Sequence, residues 1–368
     1  MNNLATPLLS RIIFFCLSTL DSRGLRSGLI FSFSLSVAYS YYFLSHSVDD
    51  IFYFGAAMNF AKNSTYAIYV GNELFQLFYL FPTFSILNGI FIDFLETFSI
   101  SITYINYRLF SKLILIALII SVIYYVHINT DGSFLAQNLA ILIFLTSPFM
   151  IGSIGSVRPE PFGALCVCWG LIFFSLWKIH KTKKNLFLSV FFLGLACTTH
   201  PIFIVPAILI SLHIANVCRK AYKDITYIGL LFVMIAPLAL YLSWLLMNFE
   251  QSAQELSNRI ANPNSSFDSM LIQNIYTYIS SPFNLLKSSL PTGIYRLYFT
   301  YPFIIIVLVI TYILIFNYKV VNSPELSIGF TTSLINFAFI PHHDFHYALL
   351  VLFVAIISSV CAHKYYAK

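Results

Sequence analysis

Charge is what this sequence lacks. Only 9% of its 368 residues are Asp, Glu, Lys or Arg, where an ordinary soluble domain carries about a quarter. So few charges cannot solvate the surface of a soluble protein of this size. Disorder is excluded on the same ground, because it needs low hydrophobicity and high charge and this chain is 59% hydrophobic. Cysteine is scarce too. The six cysteines lie in or beside apolar runs, with no zinc-site spacing. Cys166 and Cys168 are two residues apart and cannot share a helix face; all six read as small buried hydrophobes. Repeats and low-complexity tracts are not evident. The net charge of +6 implies no nucleic-acid partner and is read loop by loop instead.

What is abundant is apolar sequence. Runs at 25–44, 109–126, 134–151, 161–177, 186–217, 225–247, 301–316, 326–340 and 347–362 are bounded by charge or loop residues. They predict an all-α integral membrane protein, a single polytopic domain over 1–368 with about ten transmembrane helices of roughly 20 residues each. The first run is not a cleaved signal peptide, being long and preceded by about two dozen residues rather than a short basic tip. The run 186–217 is too long for one span. As one helix it would reach about 48 Å across a core of about 30 Å. Lys183 and Lys184 precede it and Arg219 and Lys220 follow it, so both ends belong on the cytoplasmic side. A hairpin turning at Thr198-Thr199-His200-Pro201 fits. Ten spans then leave both termini cytoplasmic.

Segment 73–92 is ambiguous. With it outside, 13 of the 20 Lys and Arg residues fall inside and 7 outside. If it crossed the membrane, the basic loops at 178–184 and 219–223 would be moved outside, against the positive-inside rule. It is therefore expected in the outer interface or as a re-entrant piece, broken at Pro82. Four acidic residues then fall inside and ten outside, which points to work done on the external face. Two large external loops are expected, at 46–107 and 248–300. Both are rich in Tyr and Phe, and both are expected to carry juxtamembrane helices at the headgroup level.

Four groups of residues could carry chemistry. Asp49 and Asp50 follow the first run and precede an aromatic, alanine-containing stretch. Neighbouring carboxylates repel, and an apolar setting disfavours their charged form, so one could act as a general base; the alternative is a helix N-cap. Arg158-Pro159-Glu160-Pro161 presents an Arg and a Glu at the membrane boundary, where Arg could grip a phosphate or the two could close a tight loop as an ion pair. His200 at the hairpin turn could donate to phosphate or shuttle a proton. Pro341-His342-His343-Asp344-Phe345-His346-Tyr347 is the densest polar group near the end of the chain. His343 and His346 could share a helix face, and with Tyr347 they suit a phosphate-facing rim better than a metal site. Lys287 and Arg296 read as interfacial anchors. Asn63-Ser64-Thr65 and Asn264-Ser265-Ser266 match the glycosylation triplet, which matters only in a eukaryotic host.

The order of these elements resembles the GT-C superfamily of polytopic glycosyltransferases, and within it the protein O-mannosyltransferase and aminoarabinose-transferase branch. A basic start, one span, an acidic pair opening the first external loop, Arg108-Leu109 opening the next span, a charged-Pro element and a Thr-Thr-His-Pro turn follow in that order. The likeness covers about residues 25–210. It departs at His200, where many relatives carry Lys, and no soluble C-terminal domain like that of many relatives is expected within these 368 residues.

The resemblance implies hexosyl or pentosyl transfer from a polyprenyl-phosphate-linked sugar to a lipid, glycan or protein acceptor, with inversion. Asp49 would be the base, with Asp50 beside it. Arg158 and Glu160 would form the charged-Pro element, and His200, His343, His346 and Tyr347 would contribute to phosphate binding. The expected location is the bacterial inner membrane, with the site facing outward. No residue is assigned as a metal ligand, although the acidic residues could bind Mg²⁺ or Mn²⁺ as well as act as bases. Two other classes compete. An envelope polysaccharide polymerase or ligase would rely on Arg and His of the external loops rather than on an acid pair after the first span. A transporter or flippase would want charged or helix-breaking sites near mid-membrane and an inverted repeat.

Overall fold

The computed structural model describes residues 20–43, 48–64, 66–70, 73–76, 82–100, 104–222, 224–247, 249–250, 306–307, 309–310, 312, 323–339 and 348–366. These residues are overwhelmingly helical. The helices in chain order are α1 (Arg23–Phe43), α2 (Val48–Asn63), α3 (Pro82–Thr97), α4 (Tyr104–Asn129), α5 (Phe134–Leu145), α6 (Pro148–Gly155), α7 (Glu160–His180), α8 (Lys183–Cys197), α9 (Ile204–Ala221), α10 (Asp224–Met247), α11 (Pro324–Phe339) and α12 (Ala348–Tyr366). Between α2 and α3 lies a small antiparallel hairpin, β1 (Ala67–Val70) and β2 (Glu73–Gln76), with Ala67 opposite Gln76 and Val70 opposite Glu73.

Among the described residues, four helical stretches are long and apolar enough to cross a membrane: Tyr107–Asn129, Glu160–His180, Pro201–Arg219 and Thr226–Met247. Phe134–Leu145 and Ala348–Lys364 are apolar but shorter. The chain is thus a helical membrane protein with fewer full-length spans among its described residues than the ten read from the sequence. Run 134–151 is one that does not form a single full-length span. It breaks at Thr146 and Ser147, and Ser147 caps a separate α6 by accepting from the Met150 amide, with Pro148 in the first turn.

The ambiguous segment 73–92 divides into β2 and α3. Pro82 does not merely interrupt it; Pro82 starts α3, where its missing N–H is no loss. The hairpin is a departure from the all-helical expectation. The run 186–217 folds back as α8 and α9, with Thr198–His200 at the turn and a 3₁₀ turn at Pro201–Phe203. Loop 248–300 lies outside the described residues apart from 249 and 250, as do the run 301–316 except for five residues and the rim at 341–347.

Two helices that are apolar all round have opposite fates. Residues 348–357 of α12 are buried on every side, and α12 packs on α4, α5, α7 and α11. Only 11% of the apolar window of α10 is buried; one side packs on α8, and Ile228, Phe232, Leu240 and Met247 are exposed and left for hydrocarbon. The largest core cluster joins α12 to the inner faces of α4, α7, α8 and α9. Helix ends are fixed by polar contacts. Asp21 Oδ1 accepts from the Leu135 amide (3.0 Å) and Ser133 caps the same α5 start. Lys178 Nζ, near the end of α7, donates to Glu325 Oε1 in the first turn of α11 (2.6 Å).

Glycines set the closest helix crossings. A Cβ on Gly194 would lie 2.2 Å from the Met234 carbonyl oxygen, so α8 and α10 meet backbone to backbone. A backbone carbonyl cannot turn aside as a side chain can. Gly194→Ala should therefore lower stability by about 1–3 kcal/mol. Gly28→Ala, whose Cβ would meet nothing within 4 Å, should leave it unchanged or slightly raised. Thermal unfolding of the detergent-solubilised chain tests the pair.

Candidate functional site

The N-terminus of α7 gathers the polar groups. Pro159 precedes the helix, Glu160 occupies its first turn and Pro161 follows. A carboxylate there meets the positive end of the helix dipole. Glu160 is fully buried, and Arg158 is 6% exposed. The guanidinium grips the carboxylate at two points, Nη2 to Oε1 at 2.9 Å and Nε to Oε2 at 3.3 Å. Of the two readings of this element, the ion pair closing a tight loop is thus present. The guanidinium carbon also stands 5.7 Å from the centre of the Tyr53 ring on α2, which ties α2 to the same place.

His200 belongs to this cluster. Its Nε2 is 3.7 Å from Glu160 Oε1, longer than a hydrogen bond. Its Nδ1 accepts from the Ile202 amide (3.4 Å), so the neutral ring carries its proton on Nε2, the nitrogen nearer Glu160. The turn that presents His200 is held from three sides. Thr83 on α3 donates to Thr198 Oγ1 (2.8 Å), and Asn336 on α11 donates to the Ile202 carbonyl (2.8 Å). On α7, Gly163 lets the turn approach; a Cβ there would come within 2.5 Å of Thr199 Oγ1.

Asp49 and Asp50 lie in the first turn of α2. Position 49 precedes Tyr53 by one helical turn in the sequence of α2. His343, His346 and Tyr347 fall outside the described residues. The structure therefore brings Arg158, Glu160 and His200 together and sets the backbone of the acid pair on the adjoining helix.

It also adds residues that sequence reasoning passed over. Arg108 and Lys112 stand one turn apart on α4, each 2% exposed, and Lys112 Nζ donates to the Ile154 carbonyl at the end of α6. Tyr53, Tyr107 and Val157 pack in one cluster, so this pair adjoins the Arg158 site. The signal was available: two cations four residues apart, one of them inside an apolar run. Nearby, the hydroxyls of Ser85, Ser111 and Ser153 and the whole amide of Asn88 are buried with no hydrogen-bond partner among the described residues. Buried polar groups are rarely left so. Such a site suits a ligand bearing negative charge and hydroxyl groups. No group of three or more metal-ligating residues occurs among the described residues.

Comparison with protein-family models, curated proteins and solved structures finds no match to this chain.

Glu160→Gln should cost about 3–5 kcal/mol of stability, because it strands the Arg158 cation in a buried setting. Arg158→Lys keeps the charge, loses the two-point grip and should cost less. Thermal unfolding of the two variants side by side would show the order, and an equal, small loss in both would contradict a buried pair.

Proposed function

We propose that the chain is a membrane glycosyltransferase that takes a sugar from a polyprenyl-phosphate donor and passes it to an acceptor hydroxyl at the external face. One observation carries this reading. Arg108 and Lys112 on one face of α4 and Arg158 before α7 are all buried, and the buried hydroxyls of Ser111 and Ser153, which flank Lys112 and its partner Ile154 in sequence, have no partner among the described residues, a setting suited to a phosphate bearing a sugar. Cations fixed in a water-poor site stabilise charge that grows during reaction more strongly than they would in water.

In the proposed step Asp49 takes the proton of the acceptor hydroxyl as that oxygen attacks the anomeric carbon. The bond from carbon to phosphate oxygen breaks, and its electron pair leaves with the lipid phosphate. The anomeric configuration inverts. Arg108, Lys112 and Arg158 offset the added phosphate charge, with His200 Nε2–H as a further donor. Glu160 has a positioning role, orienting Arg158 rather than touching the sugar. Asp50 stands beside the base. Mg²⁺ or Mn²⁺ is compatible with the acid pair, but the step needs none. The bacterial inner membrane, with both chain ends cytoplasmic, is the location that goes with this reading.

The test is transfer in proteoliposomes supplied with a panel of polyprenyl-phosphate sugars. Asp49→Asn should reduce turnover at least about a hundredfold, and Arg108→Gln by about 10²–10³, with both variants folded. If Asp49→Asn keeps full activity, or if only diphosphate-linked oligosaccharide is turned over, the chain is an envelope polysaccharide polymerase or ligase instead.

A further inference from the structure

A cavity of about 410 Å³ opens beside the site, between α2, α3, α8 and α10. It uses a different face of α3 from the one that packs inward. Thr83, Ile86 and Leu87 line it, whereas Phe84, Asn88 and Ile92 are buried in the helix packing. Its volume falls in the range of small-molecule sites. Taking a methylene as about the size of a water, roughly 30 Å³, the cavity has room for about fourteen such groups.

The walls are carbon-rich. Trp244 packs edge-on to Tyr66 (centroids 5.6 Å apart) and face-on to Tyr241 (6.1 Å). One side belongs to α10, which leaves Phe232, Ile235 and Leu240 exposed, so a ligand reaches it from hydrocarbon. The polar edge is the Thr83–Thr198 hydrogen bond, two residues from His200 and next to the Arg158 site. A ligand that fits is therefore a hydrocarbon chain carrying an anionic head. Unfilled, such a space forfeits dispersion contact along its whole lining.

We infer that this cavity holds one acyl chain of an anionic phospholipid, with its headgroup at the polar edge where Thr83 meets Thr198. A straight acyl chain lies flat against ring walls, and about fourteen carbons is close to its length. An isoprenoid bears a methyl branch on every unit. Occupation by a phospholipid goes beyond the transferase reading and does not depend on it. It gives the protein a resident lipid that fixes the angle between α3 and α10 beside the site.

Trp244 is a built-in reporter. The detergent-solubilised full chain is titrated with phosphatidylglycerol brominated in its acyl chains, and tryptophan emission is followed. Trp244→Phe identifies the component due to the cavity, since Trp169 and Trp177 remain. Saturable quenching is expected in the wild type and absent from Trp244→Phe. Ile86→Phe and Leu240→Phe should raise the half-saturating concentration at least fivefold. Leu240 is 76% exposed, so its variant does not disturb the packed core. Quenching that grows with lipid without saturating, or that ignores both filling variants, means lipid touches only the outer surface and overturns the inference. Equal binding of brominated phosphatidylcholine removes the anionic head from it. Displacement by a polyprenyl phosphate at lower concentration than by phosphatidylglycerol assigns the cavity to an isoprenoid tail and also overturns it.

Discussion

A charge taken out of water must be met by an opposite charge held in good geometry, or the structure around it gives way. In this chain that demand fixes both ends of α7. At one end Glu160 holds Arg158 in a two-point grip. At the other, Lys178 reaches Glu325 of α11, with His213 Nε2 3.9 Å from the second carboxylate oxygen. Glu160 and Lys178 lie about 27 Å apart along the helix at 1.5 Å per residue, close to the thickness of a membrane core. The apolar stretch between them can then be packed against α4 and α8 without carrying any charge into the interior.

The hairpin α8–α9 builds on this frame. α8 has 15 residues, about 22 Å at helical rise, so its turn stops short of the far side of a core about 30 Å thick. Its turn meets the start of α7, where Gly163 admits Thr199 and His200 Nε2 comes within 3.7 Å of Glu160 Oε1. The hydrogen bonds from Thr83 and Asn336 hold it there.

Much of this was legible in the sequence, and the rest failed for specific physical reasons. The fold-back of 186–217 could be read because length and basic flanks agree. The Arg158 to Glu160 element was readable as far as two options, and distance was needed to see the ion pair. The contrast between α12 and α10 was not legible, since a helix apolar all round looks the same whether protein or lipid surrounds it. Run 134–151 did not give one full span because Ser147-Pro148 divides it. Arg108 and Lys112 were visible at the start of a span, but their burial was not, because Lys112 is covered by the end of α6, which only the fold brings to it. The acid pair was placed on a helix start by its sequence, and α2 does begin there.

The central position of α12 has a consequence for how the chain is made. Its residues 348–357 contact protein on every side, yet of the described helices it leaves the ribosome last. The helices around it enter the bilayer with their shared seat still vacant, so they must wait there as a loose ring. Assembly is therefore a late event that closes around the final helix, and a nascent chain halted before residue 348 has every wall of the core and no centre.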